Sequence, residues 1–254
     1  MLIKTQGLVL SYLRYRETSV ITRIYTRATG VQSYVVNAVR GGGPKAPSRL
    51  ALFQPFTLLD LVAYPAKRGG GLTRLSEYRA AYPYHHLTRD PARAAVVLFL
   101  SEVVSKSIRE EEPNDPLFEY LRGQLIGYDQ ATTGLENFPL LFLLGLAPFL
   151  GFGARSGEDL VDQLASGGAL RPDARGPSGL ATLSLLELED RFEALRRLAL
   201  DPTDALAAEA VRTAVQTGRE RRDLLELTLS YYRLHIEHLG EIKSLDILSE
   251  VLGG

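Results

Sequence analysis

The sequence predicts an α+β protein of two domains, a small β-barrel followed by an all-α domain. Three observations lead to this prediction. Short apolar runs with a period of two fill the first 82 residues, and glycine- and proline-rich turns separate them. Beyond Asp90 the apolar residues recur at helical spacing instead. A chain of 254 residues has room for two hydrophobic cores, so we place the domains at residues 1–82 and 83–254.

The clearest predicted strand is Ser19–Arg27, because its residues alternate strictly between two faces. One face carries Arg23, Tyr25 and Arg27, and Gly30 then closes a short hairpin loop. About four to six short strands in a stretch of this length are typical of a closed barrel of the oligonucleotide/oligosaccharide-binding (OB) type. The other predicted strands are Gly7–Leu13, Gln32–Asn37, Phe56–Tyr64 and Leu72–Tyr78.

Capping signals place the helices of the second domain. Asp90 and Asp115 are N-cap residues that each precede a proline, and Ser184 with Glu187 forms a capping box. Two more helices are predicted, one opened by Asp201-Pro202 and a long final one at Arg219–Leu239.

The middle of this domain contains two contrasting stretches. Phe138–Leu150 is almost entirely apolar, so we expect it at the centre of the helical domain. Gly151–Gly179 is rich in glycine and polar residues and is predicted to be an irregular insertion, near residues 151–180, or a small subdomain.

Charge is distributed very unevenly along the chain. Residues 1–84 carry twelve Lys and Arg against three Asp and Glu, a net charge of +9, whereas the remainder carries −10. A basic, tyrosine-bearing barrel joined to an acidic body points first to nucleic acid as the partner. The residues that we predict to contact DNA are Arg14, Arg16, Arg23, Tyr25, Arg27, Arg40, Lys45, Arg49 and Arg74.

The motifs of common enzymes are missing from the sequence. There is no cysteine, no glycine-rich loop followed by Gly-Lys-Ser/Thr, no Gly-x-Ser-x-Gly and no His-Glu-x-x-His. The pairs His85-His86 and His235 with His238 fit packing roles better than metal ligation. We therefore expect no catalytic residue, no metal and no cofactor. The N-terminus has no apolar signal segment and no apolar run is long enough to span a bilayer, so a cytoplasmic location is expected.

Several stretches together resemble the RecO family of bacterial DNA repair and recombination mediators. The opening Gly7–Gly30 and the basic Val39-Arg40-Gly41 match the start of that family. Phe138–Leu150, with Gly145 and Pro148, resembles its central helix. The closing segment is matched by Tyr231–Ile236, Leu239 and Lys243-Ser244, so the likeness covers most of the chain.

The resemblance implies an N-terminal OB domain and a helical C-terminal domain. It further implies binding to single- and double-stranded DNA, annealing of complementary strands, and help in loading the RecA recombinase, in the cytoplasm and at the nucleoid. The implied partners are RecR, in many cases RecF, and the tail of the single-strand DNA-binding protein. That tail would dock on an apolar, locally basic site in the helical domain, for which Arg219, Arg221 and Arg222 are candidates.

One departure from the family concerns zinc. Many members carry a four-cysteine zinc module after the central helix, but the corresponding Gly151–Asp173 contains no cysteine. We therefore predict that zinc is absent and that packing and hydrogen bonds hold this segment instead.

Two other functions remain open at this stage. The chain could be a non-enzymatic scaffold whose barrel binds a protein partner. A nuclease or phosphodiesterase would need a cluster of metal-binding carboxylates, for which residues 1–84 have too few acids.

Overall fold

The computed structural model describes residues 2–37, 39, 49–65, 72–109, 111–170 and 183–252. It divides into two compact units, Met1–Gln130 and Ala131–Gly254. None of the described helices is both long and apolar enough to cross a membrane.

The first unit contains a closed five-stranded barrel. Its strands are β1 (Ile3–Tyr15), β2 (Ser19–Thr26), β3 (Gly30–Val36), β4 (Leu58–Ala63) and β5 (Thr73–Ala80). They close in the order β1-β2-β3-β5-β4, and every pair is antiparallel except the parallel pair β3–β5. This Greek-key barrel, followed by helices, confirms the predicted fold class.

Closure of the barrel depends on β1, which pairs with both of its neighbours. Residues 3–8 of β1 pair with β4, and residues 7–15 pair with β2. Where the two pairings overlap, Gly7 lies so close to the core that an added Cβ would meet Ile24 Cγ2 at 2.6 Å and Leu61 Cδ2 at 2.9 Å. Only glycine lets β1 approach the inner layer at this point. Phe53, from the 3₁₀ turn Arg49–Phe53, is fully buried and meets the Tyr78 ring edge-on at 5.0 Å.

Two helices complete the first unit: α1 (Pro91–Ser107) and α2 (Asp115–Gln130). The Asp90 side chain caps α1 by accepting from the Ala92 N–H at 2.9 Å, as the sequence predicts. Leu8 and Leu10 point out of the barrel and are nevertheless buried, because β1 packs against α1. The compact unit therefore extends to Gln130, well beyond the predicted domain boundary at residues 82–83.

A buried carboxylate explains why the two helices belong with the barrel. Asp129, at the end of α2, is fully buried and accepts from the backbone N–H groups of His85, His86 and Leu87 at 2.8–3.1 Å. Burial alone would raise the pKa of Asp129, but these backbone hydrogen bonds lower it below its ordinary value. The segment leaving the barrel is thus fixed to α2 before α1 begins. Its histidines are held through their backbones.

The second unit is all-helical in its described part. Its helices are α3 (Phe138–Leu146), α4 (Gly157–Ser166), α5 (Leu185–Leu200), α6 (Ala205–Ala214), α7 (Gly218–His235) and α8 (Ser244–Leu252). α3 is continued by a 3₁₀ turn at Ala147–Leu150 and packs against α5 and α7. Phe142 and Leu143 of α3 are fully buried, which agrees with the central position predicted for this apolar run.

The predicted irregular insertion near residues 151–180 is wrong in its first half. Residues 157–166 form α4, which Ser156 caps by accepting from the Asp159 N–H at 3.1 Å. Leu160, Val161 and Leu164 bury one face of this helix, and those three apolar positions were the signal that its polar composition obscured. Gly157 permits close contact with α5, because an added Cβ would clash with the Glu189 carbonyl oxygen. Residues 171–182 lie outside the described part of the chain.

Packing also holds the segment between α3 and α4. The Phe152 ring stacks on His235 with the ring centres 4.7 Å apart, and the Tyr231 hydroxyl donates to the Phe152 carbonyl. These contacts supply packing and hydrogen bonds where the family resemblance would place a zinc module.

Three helix boundaries also differ from the prediction. The N-cap of α2 is Asn114 rather than Asp115, because the Asn114 Oδ1 accepts from the Leu117 N–H at 3.1 Å. Asp201 does not open α6; its carboxylate accepts from Thr203, and Asp204 is the N-cap three residues later. Arg219–Leu239 is not one final helix, because α7 ends at His235 and α8 follows. An Asp-Pro pair does not by itself identify the residue that caps a helix. An apolar repeat likewise does not identify the residue at which a helix ends.

We predict that Asp129→Ala destabilises the first unit by about 3 kcal/mol, because buried N–H donors lose their charged acceptor. Asp129→Asn retains one carbonyl oxygen and should have a smaller effect. Urea denaturation of the full chain, followed by circular dichroism, measures both.

Asp162→Ala is the control, since Asp162 lies exposed on α4 and its removal should change stability by no more than about 0.5 kcal/mol. Equal unfolding midpoints for Asp129→Ala and the unmodified chain would contradict the role assigned to Asp129.

Candidate nucleic-acid interface

Arg23 joins the barrel to the end of α1. Its Nη1 donates to the Ser105 carbonyl at 2.6 Å, and its Nη2 donates to the Ile108 carbonyl at 3.0 Å. The last carbonyls of a helix have no partner within the helix and carry partial negative charge, so a guanidinium stabilises them. Burial lowers the pKa of Arg23, and the nearby charge of Arg109 lowers it further.

Tyr25 and Arg27 continue the same contact toward α2. The Tyr25 side chain is 1% exposed, donates to the Asn114 carbonyl at 3.2 Å and packs against Phe118 with ring centres 6.1 Å apart. Arg27 binds both carboxylate oxygens of Asp115 at 3.1 Å and Glu119 at 2.9 Å. The hydrogen bond with Asp115 raises the pKa of Arg27 and lowers that of Asp115.

The prediction that Tyr25 is available for stacking is therefore wrong, because the ends of α1 and α2 bury it. Arg23 is half-buried, and Arg27, the residue after β2, stays exposed while paired with Asp115 and Glu119. Contact of these two arginines with DNA stays a prediction. Alternation identifies which side chains share a face but carries no information on what packs against them. A buried tyrosine offers no ring for a base to stack on, and Arg27 already binds two carboxylates.

A polar cleft remains beside the covered face. It has a volume of about 310 Å³, and Arg23 and Arg109 are among its lining residues. Two guanidinium groups with a hydroxyl and an amide suit an anion such as a phosphate. Sequence reasoning missed Arg109, because the acidic run after it is typical of a solvated helix end. The other lining residues are Val31, Gln32, Ser33, Leu72 and Glu111.

The other predicted cations that the structure describes are exposed. Arg14 and Arg16 flank the β1–β2 turn, where Arg16 has a φ of 52° and lies over the Tyr15 ring at 5.1 Å. Arg49 and Arg74 are exposed at the 3₁₀ turn and at the start of β5. Their contact with DNA stays a prediction. Arg40 and Lys45 lie outside the described residues.

The three predicted partner-binding arginines lie in the first turns of α7. Arg219 and Arg222 are exposed, Arg221 is half-buried, and Arg222 forms an ion pair with Glu226 at 3.2 Å. An apolar cleft in the same unit is lined by other residues, among them Leu144, Pro148, Leu200 and Arg196. Arg196 also forms an ion pair with Glu193 at 2.8 Å.

A capping box fixes the start of α7. Thr217 and Glu220 exchange hydrogen bonds, and Arg191 of α5 adds an ion pair to Glu220 at 2.9 Å. Although burial acts to raise it, these bonds lower the pKa of Glu220 to about 2.

A closed barrel with the strand order β1-β2-β3-β5-β4 defines an OB-class protein, a class that binds oligonucleotides and oligosaccharides. Comparison with known sequences identifies the family. The model described as "Recombination protein O N terminal" matches residues 1–84, and "Recombination protein O C terminal" matches residues 88–246. The chain belongs to the recombination protein O (RecO) family.

Individual relatives match over their whole length. The chain is 33% identical to the DNA repair protein RecO of Christiangramia forsetii over 100% of both chains. It is 31% identical to that of Bacteroides fragilis and 29% identical to that of Pelodictyon phaeoclathratiforme, each over 99% of both chains. The two family models meet between residues 84 and 88, close to the predicted boundary, whereas the compact unit of the structure continues to Gln130.

We predict that Arg23→Ala destabilises the first unit by about 2 kcal/mol, because the last carbonyls of α1 lose a charged donor. Thermal unfolding followed by circular dichroism measures the loss. Arg74→Ala is the matched control, an exposed arginine of the same barrel whose removal should have almost no effect. If both variants melt at the temperature of the unmodified chain, Arg23 does not hold α1 to the barrel.

A second prediction concerns pH and α7. Because the pKa of Glu220 is lowered on folding, its stabilisation is complete above about pH 4.5 and is lost as the pH falls toward about 2. Glu220→Gln cannot titrate, so its stability should fall less steeply across this window. Urea unfolding between pH 2 and pH 6 compares the two proteins, and parallel curves would contradict the assignment.

Proposed function

We propose that this protein is a recombination mediator in recombinational DNA repair. It binds single- and double-stranded DNA through its barrel, anneals complementary single strands and helps load the RecA recombinase. The observation that carries the proposal is the OB barrel with exposed Arg14, Arg16, Arg49 and Arg74, in a chain whose relatives are named DNA repair protein RecO.

Annealing requires no bond-breaking chemistry from the protein. One strand must be held with its bases accessible, and the repulsion between two polyanions must be screened. Cations distributed around a rigid barrel do both, so we propose that the protein is not an enzyme. Within the described residues, no three His, Asp or Glu side chains gather into a group that could hold a metal ion.

The second unit is better suited to protein partners than to DNA. Ala131–Gly254 carries twelve Lys and Arg against nineteen Asp and Glu, a net charge of −7, and would repel a phosphate backbone. We propose RecR, with RecF as a further candidate, and the tail of the single-strand DNA-binding protein as partners. The exposed arginines at the start of α7 suit the acidic groups of such a tail.

The test is annealing of complementary oligonucleotides coated with the cognate single-strand DNA-binding protein. The unmodified chain should accelerate annealing. The fourfold variant Arg14→Glu, Arg16→Glu, Arg49→Glu and Arg74→Glu should lose most of this activity. Its affinity for a single strand should also depend less on salt, with a log–log slope smaller by about 0.7 for each phosphate that it no longer neutralises.

Arg155→Glu with Arg212→Glu is the control, because these side chains are 90% and 73% exposed on the second unit. The control should anneal like the unmodified chain. Annealing by the fourfold variant at the normal rate would remove the barrel from the DNA interface. A chain that binds protein partners but neither binds nor anneals DNA would instead be a scaffold.

A further inference from the structure

A second part of the barrel's outer surface is formed by the neighbouring strands β1, β4 and β5. On β4, Leu59, Leu61 and Ala63 belong to the barrel core. Alternation therefore turns Tyr64, the next residue, away from the core. Its side chain is 50% exposed.

The neighbours of Tyr64 are two cations and two apolar side chains. The Tyr64 N–H donates to the Arg74 carbonyl at 3.1 Å, which places these residues side by side on adjacent strands. Lys4 pairs with Val62, one outward position earlier, and both cations are exposed. Leu2 and Leu72, at the ends of the same strands, are 45% and 50% exposed. We call Leu2, Lys4, Tyr64, Leu72 and Arg74 the Tyr64 platform.

The charges around this platform favour an anion. Asp60, further along the face, is already bound by Arg79 at 3.1 Å and by Gln6 at 3.0 Å. Glu77 lies opposite Val62 and is the other acid of this outward face in the described residues. Lys4 is paired with Val62 from the other side and Arg74 adjoins Tyr64, so two cations and one acid lie within the spacing of neighbouring strands.

We propose that the Tyr64 platform stacks one unpaired base of a DNA single strand, while Lys4 and Arg74 contact the phosphates on either side. This inference rests on the proposed function and specifies which form of DNA the barrel holds at this face. A tyrosine ring flanked by cations is the arrangement by which proteins bind single strands without sequence preference. Both faces of a base in a duplex are already stacked, so the ring discriminates against double strands.

The apolar residues support the same ligand. Leu2 and Leu72 directly precede β1 and β5 and add exposed apolar surface to this part of the barrel, which a phosphate alone would not need. Tyr25, the tyrosine that alternation suggested for stacking, is buried under α2 and cannot serve. The stacking position therefore falls on a residue at the end of β4.

The experiment compares the binding of two single strands of equal charge, oligothymidylate and an abasic oligonucleotide, by fluorescence anisotropy. Tyr64→Ala should weaken binding to oligothymidylate by about 5- to 100-fold. It should leave both the abasic strand and a blunt duplex unchanged. Tyr64→Phe keeps the ring and should bind like the unmodified chain.

Two further variants separate charge from stacking. Lys4→Glu with Arg74→Glu should weaken binding to both single strands and lower the log–log salt slope by about 1.4, at about 0.7 for each phosphate. Leu13→Ala is the matched control, a 69% exposed apolar residue near the opposite end of β1. Thermal unfolding verifies that each variant is folded.

The outcomes distinguish the two levels of the proposal. If the unmodified chain binds no single strand, the proposed function itself fails. If it binds and Tyr64→Ala binds equally well, or is weakened equally toward the abasic strand, the stacking role of Tyr64 is overturned while DNA binding stands.

Discussion

The contact between β2 and the ends of two helices organises the first unit. Arg23 binds the last carbonyls of α1, Tyr25 is buried against α2, and Arg27 pairs with the acids at the start of α2. A second arginine also binds the carbonyls at the end of a helix. Arg93 of α1 donates to the carbonyls of Tyr128 and Asp129, at the end of α2, at 2.6 and 3.1 Å. The carbonyl oxygens that Arg23 and Arg93 contact lie at helix ends, where no N–H of the same helix donates to them. A guanidinium from a neighbouring element donates to them instead.

The contact of α1 and α2 with β2 restricts which part of the barrel surface a ligand could bind. The outer face of β2 and β3 is the surface on which OB barrels bind oligonucleotides. Here the ends of α1 and α2 contact the β2 side of that face, and the polar cleft lined by Arg23 and Arg109 lies beside it. On the proposed function, a strand of DNA would therefore contact the loops and the outer surface of β1, β4 and β5 as well. Arg23 and Arg27, whose pattern is most typical of DNA binding, form contacts with α1 and α2.

Local sequence signals predicted the positions of strands and helices well, but they predicted poorly which residues those strands and helices pack against. Period-two alternation identified β2 to within one residue, and the Ser184–Glu187 capping box correctly located the start of α5. Both signals depend on residues a few positions apart. The partners of Arg27 lie 88 and 92 residues further along the chain, and Asp129 lies about forty residues from the N–H groups that it holds. Such long-range contacts, like the burial of Tyr25, leave no periodic trace in a single sequence.

The charge argument can be repeated for the compact unit that ends at Gln130. This unit adds residues 85–130, with α1, α2 and eight acids, to the predicted basic domain. Met1–Gln130 therefore carries seventeen Lys and Arg against eleven Asp and Glu, a net charge of +6. Two of those acids, Asp115 and Glu119, neutralise Arg27, and Asp129 is buried under backbone donors. These three negative charges therefore already have cationic or N–H partners within the first unit. The asymmetry between a cationic first unit and an anionic second unit remains when the charges are counted over the compact units. On the proposed function, the cations available to phosphate would be those at the β1–β2 turn and beside Tyr64 rather than those of β2.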